Sequence, residues 1–135
     1  MAYKALKALS VRPGWAHAII HLGKDIENRS WRVPYRGLLL IQAGVTFATR
    51  DLDELRFIAN KLGKPMPKRE QIQAGGIVGV ADVIDMVSES KSPWFEGPYG
   101  WVLNRVRPVP FLPCTGRLRL FGFEVPEEWL RKAGI

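Results

Sequence analysis

Four side chains that lie close together in the sequence could bind a flat ligand that forms hydrogen bonds. In an extended chain Glu27, Arg29 and Trp31 point to one side, and Lys24 lies at the entrance to that surface. The carboxylate accepts hydrogen bonds, the guanidinium donates them, and stacking on an aromatic ring contributes about 1–3 kcal/mol per base. This combination suits a nucleobase or nucleotide. The alternative is a structural Glu27–Arg29 ion pair with Trp31 packed in the core.

A later predicted strand offers a second aromatic surface. Tyr99, Trp101, Leu103 and Arg105 share one face of that strand. Tyr99 and Trp101 would add a second wall to the binding surface. A core position for Trp101 is the alternative, since large aromatic side chains usually pack inside proteins.

His17 and His21 are four residues apart, a spacing that can ligate zinc. No third ligand lies nearby, so we predict no metal site and interpret the two as surface histidines or additional phosphate contacts. Gly75-Gly76 is not followed by Lys-Ser or Lys-Thr, so no phosphate-binding loop is predicted. The lone Cys114 is interpreted as structural, and no cofactor is expected.

The composition is that of a folded domain. A chain of 135 residues can bury a core of its own, so we expect one domain over 1–135. Apolar residues make up 47% and charged residues 24% of the sequence, which excludes a disordered chain. Residues 38–41 and 75–81, the longest apolar stretches, are too short to span a membrane. With a single cysteine and no secretory signal, these features predict a cytoplasmic protein and no membrane partner.

The net charge of +7 is concentrated in the first half of the sequence. Residues 1–69 contain 13 basic and 5 acidic side chains, whereas residues 70–135 contain 7 and 8. A basic surface attracts polyanions, and phosphate contacts dominate nucleic-acid affinity, so RNA is a candidate partner. The alternative is a solvated surface. Both interpretations apply to a predicted basic patch around the second helix, formed by Arg50, Arg56, Lys61, Lys64, Lys68 and Arg69.

The positions of apolar residues predict six strands and three helices. The expected strands are 3–11, 26–33, 37–43, 76–87, 99–106 and 117–123. We expect the second and third to form a hairpin through 34–37, and 64–73 to be a basic loop. Many short strands with helices inserted early predict an α+β fold with a closed or nearly closed small β-barrel.

The helix boundaries follow from capping residues. The first helix carries an apolar stripe from Trp15 to Leu22, and Gly23 follows where a helix-ending glycine belongs. Asp51 and Glu54 are spaced as a capping box for the second helix, which ends at Gly63. A short third helix starts at Pro126.

Three segments at the start of the chain carry a family resemblance: LSVR at 9–12, Trp15-Ala16, and GKDIENR at 23–29. They resemble the ASCH family, the activating signal cointegrator homology domains, which are PUA-like barrels marked by a G-x-K-x-x-E-x-R motif. Lys24, Glu27 and Arg29 match that motif, but its first glycine falls on Leu22. Pro13-Gly14 also departs from the Gln-Pro pair common in the family. Residues 76–83 and 97–101 resemble the family as well.

The resemblance implies a PUA-like barrel of about six strands with flanking helices and a cleft lined by the motif. The activity most often proposed for the family is RNA binding. We therefore expect RNA or a modified nucleoside as partner. The candidate ligand-binding residues are Arg12, Trp15, Lys24, Glu27, Arg29, Trp31, Tyr99 and Trp101.

The family also includes hydrolases, which leaves an enzymatic alternative open. Some members resemble amidohydrolases that deacetylate cytidine derivatives, and others are proposed ribonucleases. In the amidohydrolase branch the motif lysine works with a threonine three residues on and a distant carboxylate. Lys24 matches that lysine, but Glu27 occupies the threonine position. In an enzyme Lys24 and Glu27 would be acid–base residues, and the candidates for the distant carboxylate are Asp82, Glu89 and Glu96.

A third interpretation is a domain that binds a protein partner through the exposed aromatic wall. Residue types alone do not decide between these three functions. The first two both use Lys24 and Glu27, whereas the third uses the aromatic side chains.

Overall fold

The computed structural model describes residues 2–135. They form six strands, three α-helices and one short 3₁₀ turn. The strands are β1 (Tyr3–Val11), β2 (Ile26–Arg29), β3 (Gly37–Ala43), β4 (Gly76–Val87), β5 (Tyr99–Pro113) and β6 (Leu120–Pro126). The helices are α1 (Pro13–His21), α2 (Thr49–Leu62) and α3 (Glu127–Ala133), and the 3₁₀ turn is Arg69–Gln71. The predicted α+β class is confirmed.

All six strands belong to one mixed sheet with the order β2-β5-β4-β3-β1-β6. β1 and β3 run parallel, and the other neighbours are antiparallel. Among residues 2–135 no backbone ladder joins β2 to β6, which are the two edges. The sheet is therefore open, although its strand number and order of elements resemble those of a small barrel. Of the two predicted forms, a closed and a nearly closed barrel, the closed one is not found.

The predicted hairpin between the second and third strands is wrong. β2 ends at Arg29 and pairs with β5, whereas β3 pairs with β1 and β4. The connection leaves the sheet because Pro34 cannot donate a ladder hydrogen bond and because Trp31 packs edge-on against Trp101, with ring centroids 5.0 Å apart. The segment after Arg29 thus leads to a strand that does not pair with β2, and its residues are exposed or half-buried.

The capping box predicted for α2 is also wrong. The helix starts two residues earlier than Asp51, with Ala48 at the N-cap and no side-chain cap. The Asp51 carboxylate instead accepts a hydrogen bond from Arg12 at 2.8 Å, and the Glu54 carboxylate pairs with Arg50 at 3.1 Å. The predicted end is confirmed, because Gly63 adopts φ 68°, the left-handed region.

Besides the end of β2, the end of β5 and both ends of β6 differ from the expected bounds. β5 continues to Pro113 because its second half pairs with the start of β4, where Gly76 lies opposite Pro113. β6 starts at Leu120, since Arg119 has φ 61° and interrupts the extended chain. No helix among residues 2–135 is long and apolar enough to cross a bilayer.

Apolar side chains pack on both faces of the sheet. Adjacent residues of β3, Leu39 and Leu40, are fully buried on opposite faces, as a strand requires. One face packs against α1, and the other packs against Trp129 and Leu130 of α3. A third cluster lies between α1, α2 and the loop after β4, and it is centred on Leu55, Trp94, and residues 18–26. The candidate site lies against this third cluster.

Candidate functional site

A cleft of about 550 Å³ lies between the end of β1, strand β2, helix α2 and the loop after β4. Six of the eight predicted ligand-binding residues line it: Arg12, Trp15, Lys24, Glu27, Arg29 and Trp31. The lining also includes Glu96, a candidate carboxylate of the enzymatic alternative, and nine residues that the sequence had not assigned to the site: Ser10, Val11, Asn28, Ser30, Arg50, Asp51, Glu54, Ile58 and Trp94.

Lys24 reaches the cleft because α1 ends abruptly in front of it. Leu22 is the C-cap, Gly23 takes φ 77°, and the Lys24 amide donates to the Ala18 carbonyl at 3.1 Å. A positive φ suits glycine, which has no Cβ to clash. The predicted role of Gly23 as the helix-ending residue is confirmed.

The Lys24 side chain is 3% exposed and lies between two tryptophan rings. Its Nζ atom is 5.1 Å from the ring centroid of Trp15 and 5.6 Å from that of Trp94. Within residues 2–135 it has neither a hydrogen bond nor an ion pair. Burial lowers the pKa of Lys24, although Glu27 and Glu96 oppose that shift. The ammonium therefore faces the cleft without an acceptor of its own.

Glu27 and Arg29 form an ion pair on the wall of the cleft. Glu27 is 7% exposed, and its Oε2 atom accepts from Arg29 Nε at 3.0 Å and from Arg29 Nη2 at 2.8 Å. Arg29 Nη2 also donates to the Ser10 carbonyl of β1 at 2.6 Å. The pairing holds Glu27 Oε2 in place, while Oε1 has no partner within residues 2–135 and is not sealed from the cleft. An internal pair and an open site, the two alternatives read from the sequence, are both present.

The two tryptophans of the predicted surface take different places. Trp31 is half-buried, lines the cleft and has the Arg119 guanidinium 5.1 Å from its ring centroid. Trp101 is fully buried, and its Nε1 lies 3.4 Å from the Trp31 carbonyl oxygen to which it donates. The structure thus places Trp101 behind the cleft wall, in the core position that was its alternative.

Tyr99 also lies outside the cleft lining. It is opposite Arg29 in the β2–β5 ladder, and the Arg32 guanidinium lies 5.5 Å from its ring centroid. Tyr99 and Trp101 therefore do not form the predicted second aromatic wall. Trp15 and Trp94 do flank Lys24, and Trp94 was not singled out from the sequence.

Asn28 explains how the loop after β4 comes to the cleft. Its Nδ2 donates to the Trp94 carbonyl at 2.9 Å, and its Oδ1 accepts from the amides of Glu96 and Gly97 at 2.8 and 3.1 Å. One side chain thus holds three backbone groups of this loop. No local pattern reveals the connection, since 66 residues separate Asn28 from Trp94.

The opposite wall of the cleft comes from α2 and is bound to the start of α1. The Arg12 guanidinium donates to Asp51 at 2.8 Å, so both of these side chains line the cleft as a pair. Arg50 and Glu54 pair across one turn of α2. With Lys24, Arg29, Glu27 and Glu96, the lining contains four basic and four acidic side chains. The cleft is polar and close to electrically neutral, unlike the chain as a whole.

The weaker sequence signals lie elsewhere. The rings of His17 and His21 are 4.7 Å apart, and burial together with the His21 charge lowers the pKa of His17. Among residues 2–135 no group of three or more metal-ligating side chains is found. In the predicted basic patch Arg56 pairs with Asp53, and Arg69 lies against the Phe47 ring at 4.6 Å. Part of the patch is therefore neutralised by α2 itself.

Comparison with known proteins finds a partial similarity. No protein-family model matches the chain. Over 85 residues, or 62% of the chain, it is 32% identical to activating signal cointegrator 1 of Mus musculus and to the Homo sapiens protein of the same name. The chain matches only 15% of the length of each of these proteins. It is thus similar over most of its own length to a small part of a much larger protein.

Proposed function

We propose that residues 1–135 are a single ASCH-type domain that binds a nucleobase of RNA or of a nucleotide in the cleft around Lys24, Glu27 and Arg29. The observation that carries this proposal is the state of Lys24. The residue is 3% exposed, its ammonium lies between two indoles at the cleft, and no hydrogen bond or ion pair within residues 2–135 involves that ammonium. Because Lys24 is largely desolvated but its ammonium is open to the cleft, a ligand acceptor would be bound more strongly there than by a lysine in water.

The chemistry of the walls favours a heteroaromatic ring. Lys24 can donate to a carbonyl oxygen of a base, and Glu27 Oε1 can accept from a ring or amino N–H. Trp15, Trp94 and Trp31 offer aromatic surface at the same cleft. Its volume of about 550 Å³ lies within the ordinary range for small-molecule sites.

The nearly neutral charge of the cleft favours recognition of a base through hydrogen bonds and stacking over electrostatic binding of phosphate groups. Polyanion binding driven by phosphate contacts needs unpaired lysine and arginine side chains. Here Arg12, Arg29 and Arg50 are each paired with a carboxylate. We therefore expect the affinity for a single nucleotide to depend weakly on salt concentration, with hydrogen bonds and stacking as the main contributions.

The comparison supports the family resemblance without extending it to an activity. The matched protein bears the name from which the ASCH family takes its own, and 32% identity over 85 residues agrees with the motifs seen in the sequence. RNA binding, the activity most often proposed for the family, is the function that the cleft chemistry also supports.

The test removes the Lys24 ammonium and keeps the shape of the side chain. We expect Lys24→Met to weaken binding of the preferred nucleoside monophosphate by about tenfold to a hundredfold, because a hydrogen bond to a charged group is lost. Quenching of tryptophan fluorescence measures the dissociation constants for AMP, GMP, CMP and UMP. Lys7→Met is the matched control, since Lys7 is exposed on β1 and the net charge changes equally. Equal affinities for both variants would refute the proposal.

A second candidate function is hydrolysis of an acylated nucleoside or of RNA. It is favoured by the lowered pKa of Lys24 together with the carboxylates of Glu27 and Glu96 in the same cleft. Of the three distant carboxylates considered, only Glu96 lines the cleft, while Asp82 pairs with Arg105. Mass spectrometry of an acylated-nucleoside panel and an RNA substrate tests this function. Product formation no faster than with Lys24→Ala would eliminate it.

A further inference from the structure

A second groove opens beside the cleft, along the outer face of α2. Its volume is about 430 Å³, and it shares Glu54, Ile58 and Glu96 with the cleft. Phe57 and Lys61 of α2 complete one side, and Pro93 lies on the loop opposite. Because three residues line both cavities, a ligand longer than one nucleotide would extend from the cleft directly into this groove.

Phe57 gives the groove an aromatic face. Its side chain is 70% exposed, whereas α2 packs into the protein through Leu55 and Ala59. Within residues 2–135 no aromatic ring or cation stacks on it, unlike Trp31 and Trp101, which pack on each other. Large apolar side chains that remain exposed beside a polar cleft are typical of binding surfaces. The Phe57 ring has no structural role in the described chain that would explain its position.

Two of the three carboxylates that line the groove are paired on α2, whereas Glu96 and the Lys61 ammonium form no ion pair within residues 2–135. Asp53 pairs with Arg56 at 3.3 Å, and Glu54 pairs with Arg50 at 3.1 Å. Lys61, one helical turn after Phe57, forms no ion pair within residues 2–135. An aromatic side chain followed by a lysine one turn later is suited to a base and its neighbouring phosphate.

We propose that this groove is a second nucleotide subsite, so that the ligand is a single-stranded oligonucleotide of at least two nucleotides. The neighbouring base stacks on Phe57, and the connecting phosphate contacts Lys61. This inference rests on the proposed binding of a base in the cleft, and it adds the class of ligand. A duplex is excluded from such an arrangement, since its bases are stacked on one another and not available to Phe57.

The experiment compares ligands of two lengths on three proteins. The probes are the four nucleoside monophosphates and the homodinucleotides ApA, GpG, CpC and UpU, with affinities measured by tryptophan fluorescence. In the unmodified chain we expect the best dinucleotide to bind about tenfold more tightly than its mononucleotide, as stacking of one further base predicts. Phe57→Ala should remove that gain and leave mononucleotide affinity unchanged. Tyr3→Ala, at an exposed aromatic residue outside both cavities, should keep the gain.

Each result decides the inference. A dinucleotide that binds no tighter than its mononucleotide, or a gain that survives in Phe57→Ala, overturns the second subsite while base binding in the cleft stands. If the tighter binding of the dinucleotide is lost in Phe57→Ala and kept in Phe57→Trp, stacking on an aromatic ring is supported. If neither mononucleotides nor dinucleotides bind, the proposed function fails and the inference fails with it. Binding of an arginine-rich peptide that Phe57→Ala abolishes, with no dinucleotide gain, would assign the groove to a protein partner instead.

Discussion

Two polar side chains are buried in this protein in contrasting ways. Gln42, on β3, is 1% exposed, and its Nε2 donates to the carbonyls of Ala43 and Cys114 at 3.0 and 2.7 Å. Lys24, after α1, is 3% exposed and has no acceptor within residues 2–135. The first connects the end of β3 to the residue that follows β5. The second faces a cleft.

On the function proposed above, the difference separates a structural polar group from one that binds a ligand. The Gln42 amide nitrogen is satisfied by the chain itself, so its removal should be felt by the fold, although its Oε1 stays without a partner. The Lys24 ammonium is stabilised only by aromatic rings and by nearby carboxylates that do not contact it. Burial of a charge that the fold does not need is evidence that a ligand needs it.

The largest effect on stability is expected at Gln42. Gln42→Ala deletes two hydrogen bonds and leaves a cavity between β3 and Cys114, so the free energy of unfolding should fall by about 3 kcal/mol. Urea denaturation measures the change, and the affinity of folded protein for a nucleoside monophosphate should stay the same. A decrease in the free energy of unfolding of less than about 1 kcal/mol would show that Gln42 is not an important structural residue.

Lys24→Met should change the free energy of unfolding in the opposite direction from Gln42→Ala, and by a smaller amount. Replacing a largely desolvated ammonium that has no hydrogen-bond acceptor within residues 2–135 with an apolar side chain of similar length should raise the free energy of unfolding by about 1 kcal/mol. The same urea experiment detects the gain, and the variant is the one that loses nucleotide affinity. If Lys24→Met instead destabilised the protein as much as Gln42→Ala, Lys24 would be structural and the contrast would disappear.

The smallest effect is a pH dependence specific to Lys24. Burial lowers the pKa of Lys24 in the folded protein below the ordinary 10.5 of the unfolded chain. At pH values between these two pKa values, the unfolded chain keeps a proton that the folded protein has lost. Stability therefore rises with pH through the interval, and the full penalty of burying the cation is present below the folded pKa. Urea denaturation from pH 7 to about 10.5 should show this rise in wild type minus Lys24→Met. A flat difference would mean that the ammonium is not desolvated.

Much of the fold could be predicted because local patterns determine it. The bounds of β1, β3 and β4 agree with the apolar runs, and Gly23 and Gly63 end helices in the left-handed conformation. The prediction of a hairpin between the second and third strands was wrong because strand pairing depends on contacts throughout the core. The sequence predicts a strand over 26–33 and a turn at 34–37, but β2 ends at Arg29 and Trp31 packs against Trp101 of β5.

The candidate site likewise contains residues that the sequence predicts and residues that it does not. Lys24, Glu27 and Arg29 are neighbours in the sequence, so one strand pattern and one motif were enough to bring them together. Trp94 and Glu96 reach the same cleft through distant contacts such as the hydrogen bonds of Asn28, 66 residues before Trp94, and Asp51 pairs there with Arg12. Such contacts depend on tertiary packing, which residue spacing does not encode.

Arg29 does more than position Glu27. Its guanidinium spans from the edge strand β2 to the Ser10 carbonyl of β1, two strands that share no backbone ladder. The sheet is thus fastened across the cleft by a side chain where a closed barrel would have main-chain hydrogen bonds. A fastening of this kind can be released and re-formed without unravelling any strand. We therefore expect the width of the cleft to change more easily than the packing of the three apolar clusters, because no backbone ladder joins β1 to β2.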